Sequence, residues 1–212
     1  ISAAYRGYTA QGGDVYRIDY TPTVAFANGT EVDVEVVYRD IAGNEATETW
    51  AFTVDTVGTE FANPTPAKDG YTSDTSPTIT IEVSDALSGL AGDASDITAF
   101  TVGGDNHLGD ISTSYTSGVL TVTYNDPGVY ANGTVVAVSI TAEDNLGNPA
   151  TYGWLFRVDT VGPTFSGASP ADGGFTNDPT PLISVKVQDA LSGLAGDASD
   201  ITAFTVEGTD HL

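Results

Sequence analysis

TITIEVSDALSGLAGDASDITAFTV, residues 78–102, holds both features that decide how this chain folds. Its first seven residues alternate polar and apolar, with Ile79, Ile81 and Val83 on one side. Successive side chains of a strand point to opposite faces, so a two-residue period marks a strand with one buried face. The last eighteen letters, DALSGLAGDASDITAFTV at 85–102, return unchanged at 189–206. A shift of 104 positions also relates Asn28-Gly29-Thr30 to Asn132-Gly133-Thr134, Trp50 to Trp154, and VDTVG at Val54 to VDTVG at Val158. Self-similarity at a fixed period, without insertions, is the signature of a repeated structural unit.

Outward from this stretch the pattern stays β. Leu120, Val122 and Tyr124 alternate with polar residues, as do Val136, Val138 and Ile140, and Trp154, Phe156 and Val158. Asn-Gly, Asp-Gly and Asp-Pro-Gly punctuate the runs as turns, and no segment carries helical spacing over three turns. About seven strands in roughly 100 residues describe an immunoglobulin-like, Greek-key sandwich, and a fibronectin type III arrangement fits the same pattern. The expected fold is therefore all-β: tandem immunoglobulin-like β-sandwiches with a period of 104 residues. Gly58 and the Gly162-Pro163 pair follow the Trp strands and mark short linkers. The expected divisions are 1–57, the C-terminal half of one repeat; 58–160, a complete repeat; and 161–212, the N-terminal half of the next. An isolated half exposes apolar faces and unpaired edges, so each half calls for a complement.

Composition narrows the function. Asp and Glu number 29 against 6 Lys and Arg, a formal charge of −23. Nucleic acid and anionic membrane surfaces need clustered cations, so neither is an expected partner. Without cysteine there is no disulfide, thiolate metal site or thiol nucleophile. No apolar run approaches the ~20 residues that cross a bilayer. The chain opens at Ile1 and contains no Met, which points to a processed product or part of something longer.

DIAGNEA at 40–46 and DNLGNPA at 144–150 each precede a Trp strand ending in VDTVG, and TSDTSPTITIEVSDALSG at 72–89 is echoed by TNDPTPLISVKVQDALSG at 176–193. In these phrases the whole chain resembles the bacterial and archaeal Ig-like tandem repeats that build the stalks of large extracellular surface proteins and adhesins. The resemblance implies an extracellular, cell-surface, non-enzymatic spacer, stiffened in some members by calcium between domains.

Calcium takes six to eight oxygen ligands, and the acidic residues supply candidates. In a sandwich of this kind the loop opening at Asp85, with Asp93 and Asp96, shares a pole with the loop at Asp144 and Asn148. The entering linker brings Asp55 to the same pole. Asp159 and Asp189 are the expected equivalents at the next junction, and Asp40 and Asn44 at the preceding one. The competing reading is that Asp and Asn at strand ends simply satisfy turn amides. Asn28 and Asn132 begin Asn-Gly-Thr, which fits both a glycosylation sequon and a plain turn. His107 and His211 are one repeat position with no second histidine nearby. Trp50 and Trp154 alternate with Phe52 and Phe156, which favours a core place over a sugar-stacking platform. Lys68 and Lys186 occupy non-equivalent positions, which speaks against isopeptide crosslinks.

No nucleophile, base and acid stand in a catalytic pattern, so no enzyme is expected. The leading expectation is a structural spacer of an extracellular stalk, filament or surface layer, its partners copies of itself or further repeats of the same chain. The alternative is an adhesin module binding carbohydrate or a partner protein. Identical loops in successive repeats favour the spacer, because a binding site would differ from its neighbours.

Overall fold

The computed structural model describes residues 6–13 and 15–211. Among them the alternating runs are strands, and the only helical pieces are single 3-10 turns at Ala94–Asp96 and Ala198–Asp200. Toward the N-terminus lie two antiparallel pairs, β1 (Arg6–Gly12) with β2 (Val15–Tyr20), and β3 (Glu31–Arg39) with β4 (Glu45–Thr53).

The central segment builds a two-layer sandwich. Its strands are β5 (Glu60–Thr65), β6 (Tyr71–Thr72), β7 (Thr78–Ser84), β8 (Ile97–Val102), β9 (Asp105–Asn106), β10 (Ser112–Thr116), β11 (Val119–Asn125), β12 (Val135–Glu143) and β13 (Pro149–Val158). One sheet has the order β10-β11-β7-β5 and the other β6-β13-β12-β8-β9, antiparallel throughout except for β13 beside β6. The fold is thus an all-β sandwich, as the alternation predicts.

The alternation also sets the core. Ile79, Ile81 and Val83 from one sheet face Val136, Val138 and Ile140 from the other, all at or below 2% exposure. Each such side chain contributes about 1.5–3 kcal/mol on burial. Trp154 lies inside as expected, its indole N–H donating to the Pro66 carbonyl at 3.1 Å, because a buried indole needs an acceptor.

Beyond the sandwich come β14 (Thr164–Ser169) with β15 (Ser184–Gln188), and β16 (Thr205–Val206) with β17 (Thr209–Asp210). The duplicated sequence acts here as a natural control. ITAFTV at 97–102 is a full strand, β8, paired to β12. The same letters at 201–206 are strand only over Thr205–Val206. Phe100 is 1% exposed and its twin Phe204 39%. Local sequence is identical, so the difference lies in the neighbouring strand. β8 has β12 to complete its hydrogen bonds, and no described residue fills that place beside 201–204.

Candidate cation site at the junction

Asp55, Asp85 and Asp144 each stand just past the end of a strand, β4, β7 and β12 respectively, where the chain turns and backbone N–H groups lose their ladder partners. Each carboxylate takes up such amides. Asp85 Oδ1 accepts from Leu87 N–H at 3.1 Å and Gly89 N–H at 2.7 Å, and from the Ser88 hydroxyl at 3.3 Å. Asp144 Oδ1 accepts from Leu146 N–H at 2.8 Å and Asn148 N–H at 2.9 Å, while its Oδ2 takes the Asn148 side-chain amide at 2.7 Å. Asp55 Oδ1 accepts from Val57 N–H at 3.2 Å. The turn-satisfying role read from sequence is therefore present at all three.

The three turns also meet. One carboxylate oxygen from each of Asp55, Asp85 and Asp144 lies within 4.8 Å of the others. Oxygens bound to one Ca²⁺ at 2.3–2.6 Å are separated by at most about 5 Å, so this spacing suits shared ligation. Among the described residues, the donors to Asp85 all fall on Oδ1, which leaves Oδ2 for a cation.

The other predicted acidic residues do different work. Asp96, 5% exposed, accepts from the N–H groups of Ala91, Gly92 and Asp93 at 2.9, 2.8 and 3.3 Å. Asp93 caps the short 3-10 turn by accepting from Ser95 N–H at 2.8 Å. Both carboxylates shape the loop and lie outside the trio. Asn148 belongs with it, since its amide bridges Asp144 Oδ2 and the Asp55 carbonyl, the latter at 3.3 Å.

Charge is held in place. Burial pushes the Asp144 carboxyl up, but the Asn148 side chain and N–H, the Leu146 N–H and Ser88 together outweigh it, and the net shift is downward. Asp159 is lowered chiefly by its hydrogen bonds from Ser192, and Asp40 by Asn44. These carboxylates are ionised at neutral pH.

The junction occurs twice. Ser88 N–H donates to Asp55 Oδ2 at 3.0 Å, and Ser192 N–H to Asp159 Oδ2 at 2.9 Å. Gly89 N–H to Asp85 and Gly193 N–H to Asp189 are both 2.7 Å. Thr56 N–H reaches Asn28 Oδ1, and Thr160 N–H reaches Asn132 Oδ1, again both at 2.7 Å. Leu87 Cδ1 and Leu191 Cδ1 lie against Gly29 and Gly133 of the preceding Asn-Gly turns. Asp40 and Asn44 repeat the hairpin bonds of Asp144 and Asn148, with the amide at 2.8 Å. The sequon asparagines are exposed, and each uses its side-chain oxygen to tie the linker. Sequence reading missed Ser88, Ser192 and this Asn–Thr tie. The ties span 33 and 28 residues, and only their recurrence at the same offset signals them.

His107 Nδ1 sits 3.0 Å from Asp110 Oδ2 and 3.1 Å from the Tyr124 hydroxyl, a local network at the sandwich edge. Trp50, unlike Trp154, is 50% exposed on the β3–β4 pair. Lys68 lies over the Tyr152 ring, 5.6 Å from its centre. No helix among the described residues is long and apolar enough to cross a membrane.

No protein family and no curated protein matches the chain. Among solved structures it is similar to dimeric latent PorU from Porphyromonas gingivalis, with 15% identity and a TM-score of 0.36 over 77% of this chain and 20% of that one. It is also similar to the Bacteroides ovatus mixed-linkage glucan utilization locus SGBP-B in complex with a mixed-linkage heptasaccharide, with 17% identity and a TM-score of 0.25 over 82% of this chain and 40% of that one. The chain thus spans about a fifth and two fifths of these bacterial, β-rich neighbours.

Proposed function

We propose that this chain is a non-enzymatic structural module of an extracellular array, a run of β-sandwiches whose junctions are fixed by calcium. The observation that carries the reading is the doubled junction: the bonds joining Asp55 to Ser88 and Asp159 to Ser192 recur 104 residues apart with nearly the same lengths. Identical linkage at successive boundaries propagates one orientation from unit to unit, which is what a spacer needs. Calcium suits the chemistry, being a hard cation that takes several carboxylate and carbonyl oxygens. Asp55, Asp85 and Asp144 would hold it, with Asn148 orienting the Asp144 carboxylate. At the next junction Asp159 and Asp189 would serve.

Calorimetric titration with calcium and thermal melts with calcium or chelator test the reading. Binding of a ligand to the native state alone adds about 2.7 kcal/mol at a hundredfold excess over Kd. Calcium is expected to raise the melting temperature of the wild-type chain. Asp85→Asn with Asp144→Asn is expected to lose that response. A wild-type melt indifferent to both calcium and chelator overturns the calcium lock.

A further inference from the structure

Among the described residues, one buried side-chain polar atom has no hydrogen-bond partner, the hydroxyl oxygen Oγ1 of Thr59. Thr59 is 5% exposed and stands one residue before β5. A hydroxyl can donate one bond and accept two, and a buried one that makes none is costly, so its place calls for a reason. Strand pairing fixes where it points. β5 pairs with β7 at Glu60–Ser84 and Phe61–Val83, so the next pair outward sets Thr59 opposite Asp85. Phe61 packs on the core and Val83 lies within it. Side chains two apart on a strand share a face, so Thr59 and Asp85 continue that inner face at the end of the sandwich. On the other sheet Asp144 follows the buried Ala142 by the same two residues. Gly58, next to Thr59, lies against the backbone of Asn148 and Pro149. The unpartnered hydroxyl is thus aimed inward at the pole where carboxylate oxygens of Asp55, Asp85 and Asp144 come within 4.8 Å of one another.

We propose that Thr59 Oγ1 is a further ligand of the cation at this junction, completing on its inner side the set that Asp55, Asp85 and Asp144 begin. The inference rests on the calcium reading above and deepens it. Three carboxylate oxygens fall short of the six to eight that Ca²⁺ takes, and a neutral hydroxyl adds a donor without adding charge. Ligation uses a lone pair of the oxygen and leaves its proton for a neighbouring carboxylate. The fold itself does not ask for this hydroxyl. The second copy carries Pro163 at the position, with no side-chain oxygen, while the Asp159–Ser192 and Asn132–Thr160 ties around it are kept. Thr59 also differs from the three aspartates in what it fastens. Asp55 follows β4, and Thr59 leads into β5, so the two bracket the linker between them. A cation held by both fixes that linker at its two ends and joins it directly to the first strand of the sandwich.

The test is calcium affinity by calorimetric titration, with melting temperature in chelator, for the wild-type chain, Thr59→Val and Thr59→Ser. Valine keeps the branched shape and removes only the hydroxyl, whereas serine keeps the hydroxyl and loses a methyl group. Thr59→Val is expected to bind calcium roughly tenfold more weakly. In chelator it is expected to melt no lower than the wild type, because the fold loses a buried polar atom that had no partner. Thr59→Ser is expected to keep near-wild-type affinity while melting lower in chelator, through the lost methyl group. Affinity that follows the hydroxyl, and metal-free stability that follows the methyl group, is a pattern a merely structural side chain does not give. A Thr59→Val chain that binds calcium as tightly as the wild type overturns the inference, assigns the hydroxyl to a buried water and leaves the junction reading intact. A Thr59→Val chain that melts lower in chelator overturns it too, as does a Thr59→Ser chain weakened as much as Thr59→Val. A wild-type chain that binds no calcium overturns the junction reading itself, and this inference with it.

Discussion

Gly58 lies so close to the hairpin of the following sandwich that a Cβ added to it would stand 2.6 Å from the Asn148 carbonyl oxygen and 2.7 Å from the Pro149 carbonyl carbon. The linker therefore passes flat against the backbone that carries Asn148. Gly58→Ala is expected to displace the linker, weaken the Asn148–Asp55 bond and lower calcium affinity. Gly162 has nothing within 4 Å, and Gly162→Ala is expected to leave both quantities unchanged. Melting temperature and titration on the two variants check the contrast.

Asp96 gives a prediction confined to the loop. Its carboxylate is the acceptor for three backbone amides and is almost fully buried. Removing an acceptor strands its donors, at about 1–3 kcal/mol for a buried group. Asp96→Ala is expected to destabilise the chain by at least that much in a denaturant titration. Asp200→Ala, at the exposed twin that accepts from Gly196 at 3.0 Å, is expected to cost less than ~1 kcal/mol.

The two tryptophans separate core from flank. Trp154→Ala removes a 4%-exposed side chain and is expected to cost about 3–5 kcal/mol. Trp50→Ala, at the half-exposed twin, is expected to cost less than ~1 kcal/mol in dilute solution. Denaturation midpoints of the two variants measure both.

Tyr130 donates its hydroxyl to the buried carboxylate of Asp126, which also takes the Gly128 N–H at 2.7 Å. Burial first, and then the bond and charge of Asp126, push the Tyr130 phenol well above its ordinary value. A raised phenol pKa means the neutral form is favoured in the fold. That stabilisation is complete below pH ~10 and is lost as pH rises toward the folded value. Tyr130→Phe is expected to cost about 1–3 kcal/mol at pH 8 and to flatten the alkaline loss. The first copy carries Pro22 and Phe26 at these positions, so both partners are absent together. Asp126→Ala with Tyr130→Phe is accordingly expected to cost less than Tyr130→Phe alone. Urea titrations at pH 8 and at alkaline pH check both statements.

The strands with strict alternation were legible from the start, because one buried face imposes a two-residue period: Ile79 to Val83, Leu120 to Tyr124, Val136 to Ile140. β10 was not, since Ser112–Thr116 is an edge strand whose residues are mostly polar and exposed. The gathering of Asp55, Asp85 and Asp144 could be argued because each ends a strand at the same pole. The exclusion of Asp93 and Asp96 could not, since a carboxylate folded back onto its own loop and one facing outward have the same letters around them. Ile201 to Phe204 shows the limit most plainly: an identical stretch is strand in one copy and not in the other, because strand state depends on a neighbour that local sequence does not contain.

The repeated stretch at 85–102 and 189–206 has a consequence for inheritance. It begins at the aspartate of one junction and runs through the loop and strand beyond, and the ties on either side keep the same offset. A crossover between misaligned copies within this stretch removes or adds one whole period and splices every Asp–Ser and Asn–Thr tie back to an equivalent partner. Such an exchange changes the chain by 104 residues while each Asp–Ser and Asn–Thr tie keeps an equivalent partner.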